Sequence, residues 1–266
     1  SFLYSPKSKV PHTSPGNGNS YISLNNSIIT VNEITDNSYP FVNILFYSNQ
    51  AQSFIGSTTK PGSDCCPMGA TNCQYGSIII QGSTYTTIAN EKDYKITLNK
   101  ADGVDAFGYT FIPNKAGTYK LPDLISNIET TGVYAAFIMN CSTASDYTIE
   151  GDIIFMNPYG YLSGEKFPFL YYNLVISGLY VGLFIMWAVL FFKFKETALK
   201  IQFWVSFVIL LGFIESLSNY IIYSSINKSG NFSTSDAVFM TLFSTLKNGF
   251  ARALVVLVAL GYGIIV

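Results

Sequence analysis

Arginine and histidine are nearly missing from this chain: each occurs once, as Arg252 and His12, and only 12% of the residues are charged. A nucleic-acid surface needs clustered lysine and arginine, whereas here the charges nearly cancel to a formal net of −1, so no such partner is expected. One histidine leaves no Ser-His-Asp order and no H-E-x-x-H pattern, and no glycine-rich phosphate loop is present. The acidic residues offer no convincing catalytic pair. Asp102 and Asp105 share a turn, and Glu150 and Asp152 flank Gly151, where a solvated rim is the expectation. Neither an enzymatic activity nor a cofactor is expected.

Cysteine is sparse too, with four residues, Cys65, Cys66, Cys73 and Cys141, all in the first 165 positions. The spacing C-C-P-M-G-A-T-N-C does not fit a zinc knuckle, and His12 sits in a Pro-, Gly- and Ser-rich leader, so no metal site is expected. Disulfides in an oxidising compartment fit better, with three complete pairings open. Adjacent cysteines rarely pair with each other, so Cys141 is expected to reach back to the Cys65–Cys73 loop. The chain opens at Ser1 without an apolar leader, and a signal segment removed before maturity is the expectation.

What is abundant is apolar sequence, unevenly spread. Residues 1–165 hold eight lysines and thirteen acidic residues, a net of −5, and read as a folded, exposed domain. Strand-like runs recur at Tyr21–Val31, Phe41–Ser48, Gly76–Gln81, Tyr94–Asn99, Gly108–Ile112, Thr118–Leu121, Gly132–Cys141 and Tyr147–Met156, punctuated by turn residues. Short strands with no long helical pattern predict an antiparallel β-sandwich over residues 1–156. The segment N-P-Y-G-Y-L-S-G-E-K-F-P, residues 157–168, is a linker whose Pro and Gly forbid a continuous helix.

Residues 169–266 hold three runs long enough to cross a bilayer, about 169–192, 201–223 and 237–266. Lys193, Lys195 and Lys200 against Glu196 make the first connection positive, which places it on the cytoplasmic side. Residues 1–165 and the 224–236 loop then lie on the lumenal side. The sequons at Asn25, Asn140, Asn227 and Asn231 all fall there and are candidate glycosylation sites. The last run ends at Val266 with no tail, which leads to the expectation of a fragment of a longer protein.

Charges inside these runs mark the candidate site. An ionised group at membrane depth costs a few kcal/mol and faces a bundle interior or a wet cavity. Glu215 lies on the second run with Asn219 and Tyr220, and Lys247, Asn248 and Arg252 lie on the third. The second run rises toward the lumen and the third descends from it. Glu215 and Lys247 are therefore both roughly 12 to 15 Å from that end at 1.5 Å per residue, with Arg252 further in. Three readings stay open: an ion pair that holds two helices together, a polar cavity for a lipid, ligand or ion, or a span boundary that lies elsewhere; Lys247 and Arg252 can also snorkel to the headgroups. G-Y-G at 261–263 permits close helix approach, and Trp187 and Trp204 read as packing or lipid-facing residues.

Several motifs in this half are distinctive: N-P-Y-G-Y-L-S at 157–163, I-Q-F-W at 201–204, L-G-F-I-E at 211–215, and L-K-N-G-F-A-R-A-L-V-V-L-V-A-L-G-Y-G-I at 246–264. They resemble the GOLD-domain seven-helix transmembrane (GOST) family, and within it the transmembrane protein 87 branch. In the first half the likeness rests on β character and on G-V-Y-A-A-F-I-M-N-C at 132–141. The resemblance implies a signal peptide, a lumenal GOLD-like sandwich and seven membrane helices, of which three are present here. It also implies Golgi or endosomal residence and a role in membrane traffic, notably endosome-to-Golgi retrieval. By the same resemblance Glu215 takes the family's acidic position, and Lys247 and Arg252 its basic positions, around a cavity. Asn248 stands where a second basic residue is expected. A bound phospholipid and a lumenal protein cargo are the implied partners. A cation channel and a G-protein-coupled-like receptor are the competing roles.

Overall fold

The computed structural model describes residues 1–5, 17–32, 34, 40–56, 64–71, 73–141, 146–194 and 200–260, with backbone only at 200 and 201. His12, Lys195, Glu196 and the 261–263 glycines lie outside the described residues. The chain divides into two compact units, Ser1–Gly164 and Glu165–Val266.

The first unit is built from strands β1 (Phe2–Leu3), β2 (Tyr21–Val31), β3 (Val42–Ser48), β4 (Ser83–Asn90), β5 (Tyr94–Ala101), β6 (Ala106–Pro113), β7 (Gly117–Lys120), β8 (Leu124–Asn127), β9 (Gly132–Asn140) and β10 (Tyr147–Met156). All pair antiparallel. One sheet runs β1-β9-β3-β6-β5-β4; the other runs β10-β2-β7, with β8 also on β2. Alternation sets which face each side chain takes. Val42, Ile44 and Phe46 of β3 and Phe107, Tyr109 and Phe111 of β6 point between the sheets. There they meet Ile22, Leu24, Ile29 and Val31 of β2 in one buried core. The expected sandwich is therefore what forms.

The opposite face of the six-stranded sheet is also covered, which the alternation alone does not reveal. Leu45, Ala101 and Ala106 pack there against Ala51, Ile78 and Ile80 of the segment between β3 and β4. That segment contains a 3-10 turn at Asn49–Phe54 and isolated bridges at Ile78 and Ile80, in place of the strand expected over 76–81. Two fully buried asparagines hold it down. Asn43 Nδ2 donates to Gly76 O at 2.9 Å, and Asn99 Nδ2 donates to Ile78 O at 2.6 Å. Gly76 has φ +75°, and a Cβ there would run into the Phe41 ring, so this close turn requires glycine. Disulfides Cys65–Cys141 and Cys66–Cys73 tie the segment to the end of β9 and close its tip.

Asp105 is more than a solvated rim residue. Tyr134, 1% exposed on β9, lies with its hydroxyl 2.8 Å from Asp105 Oδ2, and Thr130 donates to the same oxygen. Burial first, then the Asp105 carboxylate, pushes the Tyr134 phenol far above its ordinary value of 10.0. Below pH 10 folded and unfolded chains both keep the proton, so this contribution is fully present. Above pH 10 the unfolded chain sheds it first and stability falls. Urea unfolding of Tyr134→Phe should therefore lose less stability between pH 10 and about 12 than the parent does; equal slopes would assign the loss to other groups.

Among the described residues the second unit holds three helices, α1 (Phe167–Lys193), α2 (Lys200–Ser229) and α3 (Thr234–Ala259). Each is long and apolar enough to cross a membrane. Pro168 sits in the first turn of α1, where its missing N–H costs nothing. α2 runs six residues beyond the expected end, because Y-S-S-I-N-K-S contains no breaker before Gly230, which takes φ +75°. α3 begins in a capping box of Ser233 and Asp236. α2 packs against both neighbours. Trp187 of α1 donates to Ser206 Oγ at 2.8 Å, and Trp204 of α2 stacks on Phe250 of α3 at 5.9 Å.

Candidate functional site: a polar-walled cavity between membrane helices

α2 brings Glu215, Ser216 and Asn219 onto one face, since residues three and four apart stack along a helix. Lys247 of α3 meets this face. Its Nζ lies 2.5 Å from Glu215 Oε2, with the carboxylate side chain 12% exposed and the lysine 27%. Similar distance from the α2–α3 connection on oppositely running helices produces this contact, as the spacing anticipates.

The pair forms part of the wall of a cavity of about 740 Å³, and the rest of that wall is largely α1. Tyr172, Ile176, Leu179, Leu183 and Met186 make one stripe of α1 that lines it, joined by Asn173 and Tyr180. Gly178 and Gly182, a small-xxx-small pair, line it as well. A Cβ at either would meet nothing within 4 Å. Their spacing suggests helix contact, yet here it leaves open space. Gly212 does mediate contact, because the Tyr180 ring occupies the place its Cβ would take. Ser216 Oγ donates back to Gly212 O at 3.0 Å and so keeps its own hydroxyl satisfied on the helix.

The wall is thus mostly apolar, with one charged pair and two amides, Asn173 and Asn219. Such a surface suits an amphiphile: chains against α1, a polar head against the Glu215–Lys247 pair. Among the described residues no group of three or more His, Cys, Asp or Glu is placed to hold a metal.

The sequence-selected residues do not all converge. Glu215, Asn219 and Lys247 line the cavity; Tyr220, Asn248 and Arg252 are absent from its lining. Arg252 is five residues from Lys247, about 140° around the helix. It is exposed on the three-helix unit beside Ala251, Val255 and Val256. Asn248, one position on from Lys247, is also exposed. Among the sequons, Asn231 is exposed between α2 and α3, while Asn227 lies in the last turn of α2 and not in a loop. Asn25 is paired opposite Asp152 in the sheet, and Asn140 ends β9.

Three membrane-crossing helices after an antiparallel β-sandwich define a multi-pass membrane protein with a folded domain outside the bilayer. Residues 168–266 match the family described as GOST, seven transmembrane domain, so the resemblance to that family holds across the helical unit. The resemblance extends to its transmembrane protein 87 branch. The chain is 28% identical to human Transmembrane protein 87B over 156 residues, 58% of this chain and 28% of the relative. It is 34% identical to Transmembrane protein 87A of Xenopus tropicalis over 108 residues, 41% of this chain and 20% of the relative. The chain therefore spans less than a third of the length of these relatives.

Proposed function

We propose that this protein is a non-enzymatic Golgi or endosomal membrane protein acting in membrane traffic, including endosome-to-Golgi retrieval, and that its helical cavity holds a phospholipid or lipid-modified cargo. The observation that carries the reading is the Glu215–Lys247 pair on the wall of a 740 Å³ cavity otherwise lined mainly by apolar residues. A single unpaired carboxylate would favour the cation-channel reading, because it would attract cations into the space. Glu215 is instead neutralised by Lys247 at contact distance, which supports a binding role over conduction.

Native mass spectrometry of the protein purified in mild detergent, followed by lipid extraction, tests this. One phospholipid per protein is expected with the parent chain and a several-fold lower occupancy with Glu215→Gln. Unchanged occupancy in the variant, or a cation current in planar bilayers whose selectivity Glu215→Gln abolishes, overturns the reading in favour of the channel.

The topology that goes with this reading puts residues 1–165 and the α2–α3 connection in the lumen. Asn231, exposed and outside any helix, is the expected glycan carrier in that connection, and Asn227, inside α2, is not. Asn231→Gln should remove one glycan-sized step on an electrophoresis gel, with Asn227→Gln leaving the pattern unchanged. The reverse pattern would place the helix end earlier in the chain.

A further inference from the structure

At the far end of α1 from the Glu215–Lys247 pair lies a second hollow, and none of the roles proposed above uses it. It measures about 370 Å³ and is lined by Trp187, Leu190, Phe191 and Phe194 from the end of α1, with Gln202 from the start of α2. Its middle is about 18 Å along α1 from the middle of the first cavity, at 1.5 Å per residue. The two share no lining residue.

The chemistry of this hollow is divided by depth. Toward the bilayer centre it is an aromatic and aliphatic wall. Trp187 is fixed there by its hydrogen bond to Ser206, whose own hydroxyl donates to Gln202 O at 2.9 Å. Toward the helix end it carries polar and cationic groups. Gln202 is part of the wall, and the Lys193 ammonium lies 5.7 Å from the centre of the Phe194 ring, which is itself part of the lining. Lys193 is in the last turn of α1, and by sequence Lys195 and Lys200 follow within seven residues against Glu196 alone. By sequence, the connection that follows α1 bears a net of +2. A zwitterionic lipid gains little from this arrangement, because its headgroup brings as much positive charge as negative. A headgroup with a net negative charge gains the full attraction, about fivefold in affinity for each lysine near the surface.

We infer that the α1–α2 end is a binding site for an anionic phospholipid, with an acyl chain against Leu190, Phe191 and Phe194 and the headgroup phosphate between Lys193 and the Gln202 amide. The occupant is a membrane lipid and not a free anion, since most of the lining is apolar.

The test is native mass spectrometry of the full-length protein, titrated with phosphatidylglycerol and phosphatidylcholine of identical acyl chains. Beyond the lipid retained in the first cavity, one phosphatidylglycerol is expected to bind with about tenfold preference over phosphatidylcholine. Lys193→Gln should cut that preference several-fold and Lys193→Arg should restore it. Leu190→Asn should weaken both lipids together. Arg252→Gln, a charge change outside both linings, should leave the preference unchanged, and because Glu215→Gln acts on the first cavity's lipid and Lys193→Gln on this one, failure here is separable from failure of the first cavity. Equal binding of the two lipids overturns the site, as does a preference that survives Lys193→Gln. Equally effective competition by the soluble headgroup glycerophosphoglycerol would also overturn it. A further helix of the full-length protein filling the hollow would appear as no lipid beyond the first cavity's, and overturns it too.

Discussion

Lys247→Met is expected to destabilise the helical unit by about 3 kcal/mol, because it strands the Glu215 carboxylate in a low-dielectric surrounding. The two side chains touch at 2.5 Å and are mostly covered even before any lipid is counted. Removing one partner leaves a charge with no compensation, whereas removing both leaves two neutral side chains of similar shape. The double variant Glu215→Gln/Lys247→Met should therefore be more stable than Lys247→Met alone. Thermal unfolding in detergent micelles, read through helix signal, gives the four corners of the cycle. A coupling of about 1.5 kcal/mol or more is the expected result. Additive single effects would show that the contact contributes nothing to holding α2 against α3.

The second large effect belongs to the sandwich. Cys65–Cys141 closes a sequence separation of 76 residues and Cys66–Cys73 one of 7. Chain-entropy arithmetic assigns about 4 kcal/mol to the long bridge and about 2 kcal/mol to the short one. Cys65→Ser with Cys141→Ser should release the segment that Asn43 and Asn99 pin to the outer sheet face and expose Leu45, Ile78 and Ile80. Hydrogen exchange on the whole chain should then show lost protection in β3, β5 and β9 with α1 to α3 unchanged. Equal exchange before and after would mean that the asparagine hydrogen bonds and the packing hold the segment without the bridge.

Much of this architecture is legible in the residues because alternation and long apolar runs are strong signals. β2, β3, β6, β9 and β10 combine a buried face with turn residues at their ends, and the structure places them within two residues of the expected limits. β4, S-T-Y-T-T-I-A-N, has no apolar alternation because it is an edge strand with mostly exposed positions. β1 and β8 are two and four residues long, too short for any period to show. The covering segment over 49–81 was hidden for another reason. Its seat includes the polar residues Asn43, Thr97, Asn99 and Thr110, which on a strand look solvent-facing, yet all four are buried.

The candidate site shows what depth alone gives and what it omits. Counting 1.5 Å per residue from the α2–α3 connection brings Glu215 and Lys247 level, and the structure places them in contact. Depth says nothing of angle. Stepping 100° per residue from Lys247 already turns Asn248 and Arg252 off its face, and that rotation was available from spacing. The α1 wall was missed because α1 holds no charge before Lys193. Its sign was the Gly178–Gly182 spacing beside Tyr180 and Asn173, where small and polar residues interrupt an otherwise apolar helix.

The central claim is that a lipid sits against the Glu215–Lys247 pair, and photolabelling locates it most directly. The purified protein would be irradiated with a phospholipid carrying a diazirine in its acyl chain, and the labelled residues mapped by peptide mass spectrometry. Adducts on α1 between Tyr172 and Met186, reduced several-fold by Glu215→Gln, are the predicted result. Labelling spread evenly over the outward faces of α1 and α3, with the Ile176–Leu183 stripe untouched, would contradict it and leave the charged pair as a bond between helices alone.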